Sequence, residues 1–126
     1  MFLLSWNVAG LGPTLQRIDN DFCEVSKAES KIRNNSTRSH SFAYFLRRHG
    51  SPDIVCVQEH KIPLQQLTSR SEPMGISSLE GYESYWSCCV DPNKKGFNGV
   101  VTFAKKGTVI SADPSPLNCK DLDSQG

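Results

Sequence analysis

The chain has 126 residues with 14 Lys plus Arg against 13 Asp plus Glu, and its net charge of +1 excludes a global electrostatic pull toward nucleic acid or an anionic membrane. Any such partner must be met by a local patch, and the mildly basic stretch is residues 13–50, with seven Lys/Arg and four Asp/Glu against seven and nine in residues 51–126. A chain of this length buries one modest core and holds one domain at most.

Residues 2–8 predict a first strand, closed by Gly10, Gly12 and Pro13, which puts Asn7 near its carboxyl end just before a turn. Between Thr14 and Arg38 there is little periodicity and much Asp, Asn, Ser, Lys and Arg, with Ile18, Phe22, Val25 and Ile32 scattered singly. Residues 13–39 therefore predict a polar insertion. From Ser41 the pattern changes: Phe42, Phe45, Leu46 and His49 fall at i, i+3, i+4 and i+7. Arg47 and Arg48 lie in the last turn of the helix this predicts, where cations suit its dipole. Gly50 caps that helix and Pro52 prevents its continuation.

The stretch Ile54 to Val57 is apolar at every position, the pattern of a strand covered on both faces, with Cys56 a small core residue. Polarity switches on at Gln58, Glu59, His60 and Lys61, where such a strand leaves the core, and the carboxyl ends of strands in α/β sheets are where ligands commonly bind. If the two strands are parallel neighbours, Asn7 and Glu59 converge on one point. Strand, connection, helix, strand is the grammar of a sheet with helices on its face. Next, Pro63 to Leu67 predict a short helical turn and Arg70 to Ser78 a polar loop. Tyr82 to Cys88 and Asn98 to Ala104 predict two strands joined by a hairpin turn at Pro92 to Gly96, and Val109 to Ala112 an edge segment. The residues from Asp113 to Gly126 leave nothing to pack.

Five cysteines, Cys23, Cys56, Cys88, Cys89 and Cys119, are odd in number and show no Cys-x-x-Cys spacing. That argues against a zinc cage and a complete disulfide framework, and for a reducing compartment. The start lacks the basic n-region of a signal sequence, and no apolar run approaches transmembrane length. Asn34 and Asn35 each open a glycosylation sequon, read here as loop residues.

Three segments place polar groups at the edge of a predicted strand: Trp6-Asn7-Val8-Ala9-Gly10, Gln58-Glu59-His60-Lys61 and Lys95-Gly96-Phe97-Asn98-Gly99-Val100. Together and in this order they resemble the exonuclease III class of apurinic/apyrimidinic endonucleases, within the DNase I-like metal-dependent phosphoesterases. Gly81 to Ser87 and Val101 to Lys105 further resemble the second eukaryotic subfamily, apurinic/apyrimidinic endonuclease 2. The resemblance covers residues 3–12 and 40 to about 117. It implies a DNase I-like four-layer α/β sandwich, present here as its N-terminal half, with residues 1–117 a partial domain and 118–126 a polar end. The implied function is a magnesium-dependent DNA repair phosphodiesterase, with manganese as the alternative ion. Its implied partner is DNA with abasic sites or 3′ ends, and its implied location the nucleus or, alternatively, the mitochondrion.

By the same resemblance Glu59 is the metal carboxylate and Asn7 its companion, an assignment that suits magnesium's preference for oxygen ligands and retained waters. Lys61 supports the site beside the DNA phosphate, and Gly96, Phe97 and Asn98 face the DNA. There are departures from the pattern. Ala9 stands where many relatives have Asn or Asp, and His60 where the family has threonine or a similar residue; His60 reads as a polar loop residue. The family's later tyrosine, Asp-x-Asn and Asp-His motifs do not occur before Gly126. The 126 residues alone are therefore expected to be inert, with Val55, Val57, Val100 and Phe103 lacking an opposing layer. Two alternatives stay open: a DNase I-like phosphoesterase acting on RNA tails, inositol phosphates or sphingomyelin, and a non-catalytic product.

Overall fold

In a computed structural model, residues 1–27, 38–68, 79–113 and 118–119 are described. Strand β1 (Leu3–Asn7) leads into helix α1 (Leu11–Lys27), followed by helix α2 (Arg38–Arg48) and strand β2 (Ile54–Gln58). A one-turn helix α3 (Leu64–Thr68) and strands β3 (Tyr82–Ser87) and β4 (Val100–Lys105) complete the order. The strands form one mixed sheet in the order β1-β2-β4-β3. β1 runs parallel to β2, with Asn7 opposite Gln58, and β4 is antiparallel to both β2 and β3.

Side chains alternate across a strand, so the registers sort the sheet into two faces. One carries Leu4, Val55, Phe103 and Ser84 in one row and Trp6, Val57, Val101 and Trp86 in the next. Val55, Val57, Val101 and Phe103 are fully buried there, in one cluster with Leu11, Leu15 and Ile18 of α1 and Phe42, Ala43 and Leu46 of α2. Phe42 meets Phe103 edge-on at 5.7 Å between ring centroids, and Trp6 stacks on Phe45 at 5.7 Å. The other face carries Ser5, Cys56, Thr102 and Tyr85, then Asn7, Gln58, Val100 and Ser87. These side chains are half-buried or exposed.

This arrangement corrects four expectations. Val55, Val57 and Phe103 do have an opposing layer, because α1 and α2 supply it; Val100 points to the other face and is half-buried. β2 is covered on one face only, so Cys56 is a half-buried residue beside Thr102, whose hydroxyl lies 3.9 Å from its sulfur. Residues 109–112 form no strand, whereas β3 and β4 are antiparallel neighbours joined over 88–99 through turns at 92–96, as expected.

The fourth correction concerns the insertion. Residues up to Lys27 are helical; the rest of it up to Thr37 lies outside the described residues. Leu11, Leu15, Ile18 and Phe22 fall at i, i+4, i+7 and i+11, one helical stripe, with the first three buried and the polar residues on the remaining faces. Pro13 sits in the first turn, where a missing N–H costs nothing because those donors have no intrahelical partner. α2 ends as expected: Ser51 N–H donates to Leu46 C=O at 2.9 Å and Gly50 N–H to Arg47 C=O at 3.4 Å, the paired bonds of a Schellman cap. Leu15→Ala is expected to cost about 2–5 kcal/mol, the range for an aliphatic residue removed from a packed core. Urea melts followed by circular dichroism measure this, and a loss under about 0.5 kcal/mol, typical of surface positions, would mean that α1 is not a core element.

Candidate active site

The parallel pairing of β1 and β2 brings their carboxyl ends together, and Val8 N–H extends the ladder to Gln58 C=O at 3.1 Å. Asn7 and Glu59 meet there: the Asn7 amide Nδ2 donates to Glu59 Oε1 at 2.8 Å. A carboxylate only accepts, so the amide turns its NH2 toward it. Asn7 Oδ1 is taken by the Ala9 N–H at 3.0 Å, a local turn bond common for Asn. Lys61 Nζ lies 3.6 Å from Glu59 Oε2. The Asn7 hydrogen bond, followed by the Lys61 charge, holds the Glu59 carboxyl below its ordinary range, so it is ionised at neutral pH. Gln58 turns away, its amide donating to Ser5 Oγ at 3.1 Å on the open face.

The connection before β4 locks onto this strand end. His60 N–H donates to Gly99 C=O at 3.1 Å and Lys61 N–H to Asn98 C=O at 2.9 Å. Gly96 has φ +69, and a Cβ there would stand 2.9 Å from the Lys61 carbonyl oxygen, so the close approach of the two loops requires glycine. Ala9, Glu59, Lys61 and Asn98 also have positive φ, between 48° and 56°. Such conformations are costly for residues with a Cβ and cluster at functional sites. Together the loops frame an open cleft of about 470 Å³, lined in part by Glu59, Lys61, Lys94, Lys95, Phe97 and Asn98. Phe97 is 46% exposed, with Lys94 Nζ 5.5 Å from its ring centroid, inside cation–π range. Three lysines against one glutamate make the cleft locally basic in a chain of net charge +1.

His60 is not the polar loop residue its chemistry suggests. It is 1% exposed; its Nδ1 accepts the Ile62 N–H at 2.9 Å, and its Nε2 lies 3.2 Å from Ser87 C=O. Since Nδ1 accepts, the ring is the Nε2–H tautomer, donating to Ser87. Its edge packs on Trp86 at 5.1 Å. The one signal in the sequence for this burial is Gly99, whose lack of a Cβ makes room for the ring.

Burial pushes the His60 pKa down, partly offset by the Ser87 bond. The folded state then binds fewer protons than the unfolded state below the ordinary imidazole value of about 6.5. Its contribution is complete above that value and is lost as pH falls below it. Urea midpoints should drop between pH 7.5 and 5.5, and drop less in His60→Asn; equal slopes in parent and variant would contradict this. Asp53 and Glu59, with lowered carboxyl values, lose their contributions only below the ordinary carboxylate range of about 4, a separate window.

No protein-family model matches the chain. The Bos taurus protein named DNA-(apurinic or apyrimidinic site) endonuclease 2 is 34% identical over 112 residues, 88% of this chain and 18% of the relative. The Homo sapiens protein of that name is 32% identical over the same length. The exodeoxyribonuclease of Bacillus subtilis strain 168 is 28% identical over 106 residues, 84% of this chain and 29% of its own length. Among solved structures, the Xenopus laevis APE2 catalytic domain superposes with a TM-score of 0.50 and 28% identity, covering 83% of this chain and 23% of that one. The chain is homologous to the apurinic/apyrimidinic endonucleases. The AP endonuclease of Leishmania major, at 23% identity and a TM-score of 0.50 over 86% of this chain and 25% of its own, shows the same fold. The sheet with its two helices is thus a part of the α/β fold of these nucleases, and this chain spans less than a third of the length of each.

Proposed function

We propose that this chain carries the phosphate-facing strand ends of a magnesium-dependent DNA repair phosphodiesterase that cuts at abasic sites and trims 3′ ends. The observation that supports it is the Asn7–Glu59–Lys61 constellation at the mouth of a basic cleft, in a chain whose homologues are nucleases. The donor chemistry suits magnesium or manganese in part. Glu59 offers an ionised, 38% exposed carboxylate, and magnesium binds through one or two carboxylates while keeping several waters and substrate oxygens. No group of three His, Cys, Asp or Glu that could hold an ion occurs among the described residues. Glu59 would hold the ion, and Asn7, donating through its NH2, would orient the carboxylate from beside it. When bound, such an ion neutralises charge developing on a phosphate.

The chain's own residues do the rest of the positioning. Lys61 balances Glu59 and presents a cation to phosphate, while Lys94 and Lys95 extend the positive surface along the path a backbone would take. Phe97 offers an apolar face at the same rim. Fluorescence anisotropy with an abasic duplex and its intact counterpart, in magnesium and over a salt series, tests this reading. Binding is expected to favour the abasic duplex. Lys95→Ala should lower the salt slope by about one, the change for a single lost phosphate contact. An unchanged slope in both Lys95→Ala and Lys61→Ala would remove the cleft from the DNA path.

A further inference from the structure

The strand-end loop that carries Glu59 and Lys61 does not hold its shape through those residues. Both are exposed by more than a third, and both have positive φ. Between them His60 is buried and tied to three other segments and to its own loop. Its N–H donates to Gly99 C=O, and its C=O accepts the Leu11 N–H at 2.9 Å at the start of α1. Its ring accepts from Ile62 N–H and donates to Ser87 C=O at the end of β3. A Cβ on Gly99 would stand 2.5 Å from His60 Cε1, so the ring occupies the space glycine leaves.

We infer that His60 is a positioning residue: its buried ring, seated on Gly99, fixes the backbone on either side so that Glu59 and Lys61 reach the same cleft and Asn7 can bond Glu59. Continued in the extended conformation, the alternation from Val57 would put Glu59 and Lys61 on the helix-covered face and His60 on the open one. The left-handed turns at Glu59 and Lys61 reverse this, seating the ring against Trp86 and leaving both charged side chains at the cleft. The inference deepens the proposed function, but the geometry it explains exists without metal or DNA.

The test uses the isotope-labelled 126-residue chain and reads the Asn7 side-chain amide by nuclear magnetic resonance. In the parent the proton donated to Glu59 should be shifted and slow to exchange. His60→Leu fills similar space without polar atoms, and should lose that signature and weaken manganese binding by about tenfold, the lower end for losing a group that orients a ligand. His60→Asn keeps an acceptor for the Ile62 N–H and should retain both within about threefold. A folded His60→Leu chain with the parent's Asn7 signals would overturn the inference. Loss of those signals with manganese affinity unchanged would instead count against the metal reading and leave the inference standing. Should His60→Leu fail to fold, Gly99→Ala is compared in the parent and in His60→Ser, since the φ cost at position 99 is common to both. The larger loss is expected in the parent, and equal losses would sink the proposal.

Discussion

Glu59→Ala and Glu59→Gln are expected to abolish manganese binding and any magnesium-dependent incision of an abasic duplex, while leaving the thermal midpoint within about 3 °C of the parent. The two readouts separate because of where the carboxylate sits. Glu59 lies past the end of β2, is 38% exposed, and among the described residues makes its polar contacts with Asn7 and Lys61. An exposed pair of this kind adds little stability. Loss of a ligand should exceed the 10–100-fold typical of removing a group that merely orients one, which is the range expected for Asn7→Ala. The Gln variant keeps an acceptor for Asn7 and removes the charge, so it isolates the ion's need for an anion. Titration with manganese by electron paramagnetic resonance, beside a thermal melt, measures both. Undiminished manganese affinity in Glu59→Gln would show that the ion does not use this carboxylate.

Phe103→Ala should cost about 3–5 kcal/mol, out of a total that for domains of this kind is about 5–15 kcal/mol. Phe103 is fully buried at the centre of the covered face, edge-on to Phe42 at 5.7 Å and to Trp86 at 5.9 Å. Removing the ring leaves a cavity that both aromatic neighbours border. Thr102, one residue earlier on the same strand, faces the other side of the sheet, and Thr102→Ala should cost under about 1 kcal/mol. Urea denaturation of the two variants reads the difference between the faces. Comparable losses would mean that both faces are closed by packing.

The strand ends were readable because their pattern is local: an apolar run from Ile54 to Val57 followed at once by Gln58, Glu59, His60 and Lys61. A single assumption, that β1 and β2 are parallel, then brings Asn7 to Glu59. Helix α1 was hidden because Gly12 and Pro13 imitate a turn, and because polar residues outnumber its apolar stripe of Leu11, Leu15, Ile18 and Phe22. Proline inside a first turn is compatible with a helix, and the stripe, not the overall polarity, decides burial. The role of His60 could not be read locally. Its neighbours in sequence are charged, and the room for its ring comes from Gly99, on a loop reached through β3. The direction of the Asn7 amide was also out of reach, since it follows from the competition between the Glu59 oxygen and the Ala9 N–H.

The hydrogen bond between Asn7 and Glu59 joins residues 52 positions apart, and the strands that deliver them are linked by two helices rather than a short hairpin. Closing such a long crossover requires chain entropy to be given up before the pairing returns any energy, so parallel contacts of this kind form slowly. The α1–α2 pair and the β3–β4 pair involve closer segments and can assemble without it. Pulse-labelled hydrogen exchange during refolding should therefore find the amides of Leu46 and of Ala104, which faces β3, protected before those of Val8 and Leu11, whose acceptors are Gln58 and His60. A nascent or partly unfolded chain would then possess much of its helix and sheet while the chemistry-bearing corner is still unmade.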